Sequence, residues 1–159
     1  MEGPEPPDLK AIRPRVEQLL KEVMQTDDLP TGESGQWGPF PFGTTGVYLK
    51  LGQPGPQVPP VLVVVSMVLA QVKKSPELLD FLNDINANSS FLRAVWTNDA
   101  VFFSAELLAQ TMDREELLIA AGQVANAADN YDEVLQERFG GVRPYVDDVG
   151  PPDEPASPW

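Results

Sequence analysis

The chain has 159 residues, with 24 Asp and Glu against 11 Lys and Arg, a formal net charge of −13, and neither His nor Cys. Those two absences exclude a Ser-His-Asp triad, a thiol nucleophile, an imidazole base and a Cys/His zinc site. The acidic balance argues against nucleic acid as a partner, since that affinity rests on Lys and Arg displacing counterions, and equally against an anionic membrane surface.

The first residues are acidic and Pro-rich, unlike a secretory leader. The most apolar run, residues 58–72, is interrupted by Pro59, Pro60, Ser66 and Gln71. It falls short of the roughly 20 apolar residues that a spanning helix needs. A cytoplasmic location is expected. Residues 1–60 hold 11 of the 17 Pro and 8 of the 12 Gly, whereas residues 61–139 hold only Pro76 and Gly122. Helices and strands tolerate few of either residue, so the regular core is expected from about 61 to 139. The expected organisation is a disordered tail at 1–8, one domain at 9–141, and an acidic, Pro-rich disordered tail at 142–159.

Leu9, Ile12, Val16, Leu19, Leu20 and Val23 recur at helical spacing. Pro14 suits a first turn, which predicts a regular helix from near Arg13 to Met24. Residues 26–44 read as a loop carrying Trp37, Phe40 and Phe42, with room for a short strand in 36–43. Val47, Leu49 and Leu51 alternate with Tyr48 and Lys50, as in a half-buried strand. Residues 61–69 are apolar at almost every position and rich in Val, which marks a strand covered on both faces. Ser75, Pro76 and Glu77 open a helix with a hydroxyl cap, a proline at its first position and an acid at the positive end of its dipole. Leu78, Phe81, Leu82 and Ile85 fill one face of that helix. Residues 91–97 and 100–107 are strand-like and meet through Asn98-Asp99, a tight hairpin. Asp113 opens the last helix with Glu116 as capping-box partner. Leu117, Ala121, Val124, Ala128, Tyr131 and Leu135 follow in alternating steps of four and three, and Gly140-Gly141 stops it. The fold class is α+β: an antiparallel sheet with flanking helices in the order α-β-β(-β)-α-β-β-α.

No carboxylate group carries a strong metal signal. Asp80 and Asp84 lie four apart, and Asp129, Asp132 and Glu133 cluster, but both sets read as solvated helix faces. The Gly-rich stretches lack the Lys-Ser/Thr of a phosphate loop. Asn88-Ser89-Ser90 fits the glycosylation pattern, which carries no weight without a leader. The aromatics are more informative. In the hairpin, Phe91, Arg93, Val95 and Thr97 alternate with Leu92, Ala94 and Trp96, and Phe102, Ser104 and Glu106 alternate with Val101, Phe103 and Ala105. Both faces hold large apolar groups, so the second face needs cover from a partner, a second copy or a terminal segment. Ala120, Ala125 and Ala127 on the last helix permit close approach, to its own sheet or across a two-fold axis.

The run SPELLDFLNDIN at residues 75–86 resembles the "spelL..lN.iN" segment of the YbjN-like and type III secretion chaperone-like proteins (the TY-Chap group) of actinobacteria. An apolar strand precedes it. The Asn98-Asp99 hairpin, a long helix with Ala127-Ala128-Asp129, and Phe139-Gly140-Gly141 follow in order, so the resemblance spans about residues 45–141. It implies an α+β fold similar to CesT-type secretion chaperones, commonly dimeric, that binds peptide segments without catalysis. It brings no catalytic motif and no site residues.

The expected function is therefore a non-enzymatic peptide- or protein-binding chaperone-like module, with no cofactor and no metal. Its partners would be a client segment and a second copy forming a homodimer. The candidate contact residues are Trp37, Phe40, Phe42, Phe91, Trp96 and Phe102. The acidic charge would favour clients with basic flanks, a preference that fades with salt. The alternative is a regulatory or signalling adaptor that binds one folded partner.

Overall fold

A computed structural model of the chain describes residues 8–147. The elements are α1 (Leu9–Met24), β1 (Trp37–Phe42), β2 (Thr45–Gly52), β3 (Val61–Leu69), α2 (Pro76–Asn88), β4 (Arg93–Thr97), β5 (Ala100–Leu108) and α3 (Arg114–Phe139). The strands form one antiparallel sheet in the order β1-β2-β3-β5-β4. This is the α+β arrangement expected, with the additional strand present at 37–42.

Local signals account for most boundaries. Ser75 accepts from the Leu78 N–H at 3.1 Å, with Pro76 in the first turn of α2. At α3, Glu116 N–H donates to Asp113 and Asp113 N–H donates back to Glu116, so the capping box is complete. Asn98 and Asp99 both have positive φ, 52° and 57°, which is the two-residue turn whose twist matches that of paired strands. Helix α1 departs from expectation by starting a turn earlier, at Leu9, capped by Asp8. Pro14 therefore lies inside the helix, where the lost hydrogen bond and ring clash cost about 3 kcal/mol. Full burial of Ile12, Val16 and Leu20, at about 1.5–3 kcal/mol each, outweighs that cost. Two arginines add tethers: Arg15 donates to the carbonyls of Ala109 and Met112, and Arg13 to that of Gly35.

All three helices pack on one face of the sheet. Their buried residues join Val47, Leu49, Leu62, Val64, Val68, Val101 and Phe103 in the main core. Phe81 and Phe103 each meet Tyr131 edge-on, at 6.0 Å between ring centroids. The opposite face carries a second cluster of Tyr48, Val61, Val63, Val65, Ala100 and Phe102, to which, among the described residues, no helix contributes. Tyr48 is 2 % exposed, so β2 is covered on both faces along its first half rather than half-buried as expected.

The tails expected at 1–8 and 142–159 lie outside the described residues, apart from Asp8 and residues 142–147. Residues 142–147, expected within a disordered tail, are packed. Val142 and Ala70 exchange backbone hydrogen bonds of 2.8 Å, and Gly141 permits this because a Cβ there would sit 2.7 Å from the Ala70 carbonyl oxygen. Arg143 reaches α3 through Gln136 (2.9 Å) and Asp132 (3.7 Å). Asp147 accepts from the Arg143 N–H at 2.9 Å and from the Gln136 amide at 2.7 Å.

Those hydrogen bonds, first the one from the Arg143 backbone, hold the Asp147 carboxyl below its ordinary value of 3.8, with help from the Arg143 charge. The carboxylate therefore stabilises the docked segment above that ordinary value, and the contribution is lost as pH falls below it through the depressed one. Hydrogen exchange at the Val142 amide should accelerate as pH drops below about 4, relative to amides of α2, and Asp147→Asn should remove this step.

Candidate apolar groove

The β1–β2 hairpin stands against the N-terminal half of α3, and the space between them is a groove of about 240 Å³. Phe40, Pro41, Phe42 and Val47 form one wall, and Leu118, Ala121, Gly122 and Ala125 of α3 form the other. Val23 and Met24, at the end of α1, close one side. Every described lining residue is apolar. The room comes from small side chains: a Cβ added at Gly122 would meet nothing within 4 Å. Phe42 and Leu118 remain 41 % and 47 % exposed, so the groove presents large side chains to solvent rather than sealing them in.

The hairpin wall is fixed at its tip. Thr44 donates its backbone N–H to Asp129 at 2.8 Å, and its hydroxyl lies 3.0 Å from Asp129 and 2.6 Å from Asp132. Asp132 is 2 % exposed and pairs with Arg143, which corrects its reading as part of a solvated face. Among the described residues, no group of three or more acids could hold a metal ion.

The six candidate aromatics do not form one surface. Phe40 and Phe42 line the groove. Trp37 is fully buried, with the Arg13 guanidinium 4.2 Å from its ring centre, and Phe102 is fully buried on the face without helices, so neither is an exposed contact. The physical reason is alternation: Phe102 and Trp96 sit one register position apart in paired strands and emerge on opposite faces. Trp96 is half-buried against the main core, and its indole N–H donates to the Val72 carbonyl at 2.9 Å. Phe91, at φ 61°, is 73 % exposed between α2 and β4, away from the groove. The groove's α3 wall was missed in the sequence. Gly122, the only glycine between residues 61 and 139, was its one visible sign.

Trp96→Ala should act on the fold rather than on binding. Loss of a partly buried indole and its hydrogen bond is expected to cost about 2–3 kcal/mol in chemical denaturation, somewhat below the cost for a fully buried Trp.

Solved structures share this architecture. A chain of the ExsC–ExsE complex matches with a TM-score of 0.58 at 18% identity, over 77% of this chain and 94% of that one. A chain of the HopA1–SchA chaperone–effector complex matches at 0.59 and 11% identity, covering 80% and 99%. The Yersinia pestis type III secretion chaperone SycH, in complex with a fragment of YscM2, is represented at 0.52 and 15% identity, over 72% and 98%. No curated protein matches in sequence. At these identities the likeness is one of fold. The sequence itself matches a family model over residues 10–147, nearly the whole of what the structure describes. The chain therefore belongs to the TY-Chap1 family, the T3SS (YopN, CesT) and YbjN peptide-binding chaperones.

Proposed function

We propose that the groove between the β1–β2 hairpin and α3 holds an apolar segment of a client polypeptide, and that the chain binds clients without chemically altering them. The observation that carries this reading is the predominantly apolar lining of a solvent-open space, walled by Phe40, Phe42 and Leu118. The solved relatives support it, being complexes of chaperones with effectors or other protein fragments. The proposed location is the cytoplasm, where a carrier of unfolded segments meets newly made chains; among the described residues no helix is long and apolar enough to cross a membrane.

The sheet edges favour side-chain capture over strand addition. Edge strand β1 carries Pro39 and Pro41, which lack the N–H that an added strand would need. At the other edge, the Asn86 amide donates to the Ala94 carbonyl at 2.9 Å and accepts from the Ala94 N–H at 2.7 Å. A client strand at β4 would first have to displace that side chain.

Gly122 offers a direct test. Gly122→Ala should stabilise the fold by about 0.5–1 kcal/mol, because the helix interior gains a better former without a clash. Gly122→Leu should fold as well and fill the groove. Against a panel of fluorescent apolar peptides with basic flanks, it should bind roughly 10- to 100-fold more weakly, the worth of one buried anchor side chain. Unchanged affinity in a folded Gly122→Leu protein would remove the groove from consideration.

We further propose that Phe91, 73 % exposed where the chain passes from α2 to β4, contacts a second copy of the chain. Light scattering on a size-exclusion column should then give about twice the 17.4 kDa chain mass, and Phe91→Asp should return it to one chain. A single-chain mass for the unaltered protein would exclude the dimer.

A further inference from the structure

At the hairpin tip, just past the groove, two carboxylates converge on one hydroxyl. Asp129 and Asp132 follow each other on α3, and the Thr44 hydroxyl lies 3.0 Å from the first and 2.6 Å from the second. A hydroxyl has a single proton to give, and the shorter contact takes it to Asp132. Asp132 also has the Arg143 guanidinium at 3.7 Å. Asp129 has neither. Its Oδ1 accepts the Thr44 N–H at 2.8 Å, but among the described residues its Oδ2 accepts no hydrogen bond and no Lys or Arg pairs with it. Two anions thus share one cation. The Thr44 N–H holds the half-buried Asp129 in place, so an arriving partner need not order it.

We propose that the client segment held in the groove carries a lysine or arginine within about two residues of its apolar anchor, and that this cation pairs with Asp129. The assignment rests on the groove reading above and adds the chemistry of the position beside the anchor. Spacing supports it. Ala125 of the groove wall and Asp129 are one helical turn apart on α3, about 6 Å along its axis, which is the rise of two extended residues. On the facing wall, Phe42 stands just before the Gly43-Thr44 tip that touches Asp129. The charge pattern is complementary. Glu133, exposed one turn beyond Asp129, adds a further negative charge at this end, against Arg143 alone. At the other end of the α3 wall, a turn before Leu118, Arg114 and Glu115 carry one charge of each sign. The groove lining has nothing to offer a cation, whereas the hairpin tip does.

Fluorescence anisotropy on the full-length protein tests this with two fluorescein-labelled peptides. Both carry the triplet Leu-Phe-Leu in a Gly-Ser background, flanked on each side by Lys in one peptide and by Gln in the other. At low ionic strength the Lys peptide should bind about two- to fivefold more tightly, as expected of one partly exposed ion pair. Asp129→Asn keeps an oxygen for the Thr44 N–H but removes the charge, and should abolish that preference. Asp84→Asn, on the exposed side of α2, makes the same change in net charge and should preserve it. A preference that survives Asp129→Asn, or falls equally in Asp84→Asn, would overturn the proposal, as would equal binding of the two peptides to the unaltered protein. Gly122→Leu separates this from the groove reading. If it weakens both peptides while Asp129→Asn leaves the lysine preference intact, only the partner of the cation is wrong. If it weakens neither, the groove is wrong and this assignment falls with it.

Discussion

The buried carboxylate of Asp132 is the constraint on which both faces of this molecule depend. One oxygen accepts the Thr44 hydroxyl and lies 3.7 Å from the Arg143 guanidinium, while the other accepts the Glu133 N–H at 2.7 Å. A carboxylate that is 2 % exposed is tolerable only with such partners, and breaking a buried pair costs about 3–5 kcal/mol. Those partners belong to three different parts of the chain. Thr44 sits at the hairpin tip that walls the groove, and Arg143 begins the segment that delivers Tyr145 to Gly46. One acid on α3 therefore sets the position of the hairpin on one side and of the C-terminal segment on the other.

Much of the fold was legible because it rests on local physics. The four-three stripe of α3, the Ser75 and Asp113 caps, and the Asn98-Asp99 turn each express short-range geometry that neighbouring residues dictate. β1 was harder to read because Gly38, Pro39 and Pro41 contradict strand propensity; an edge strand tolerates prolines whose missing N–H groups are not needed for pairing. Asp132 was misread for a different reason. A helical apolar period identifies a buried line, but a charged residue on that line looks solvated until its cation is found, and Arg143 lies 11 residues further on, beyond the end of the helix. The aromatic candidates failed in the same way. Alternation separates Phe102 from Trp96, but it cannot say which face the helices cover.

Family membership and groove chemistry meet in how a client would be held. In the proposed reading, a groove built from Phe40, Phe42, Leu118 and the small residues of α3 would accept hydrocarbon without demanding a particular hydrogen-bond pattern, and its selectivity would rest on shape and on flanking charge. With the sheet margins occupied by prolines and by the Asn86 amide, backbone pairing would add little to such binding, and affinity would depend on which side chains a client presents.

The Asn86 amide has a consequence beyond client selection. A protein that keeps grease open to solvent at high cellular concentration risks stacking on itself, margin to margin, as an open-ended ladder that never closes. By satisfying both backbone groups of Ala94 with a single side chain, and by leaving prolines along the opposite margin, the fold terminates such polymerisation at both ends. Both borders are thereby withheld from the kind of contact that would recruit copies without limit.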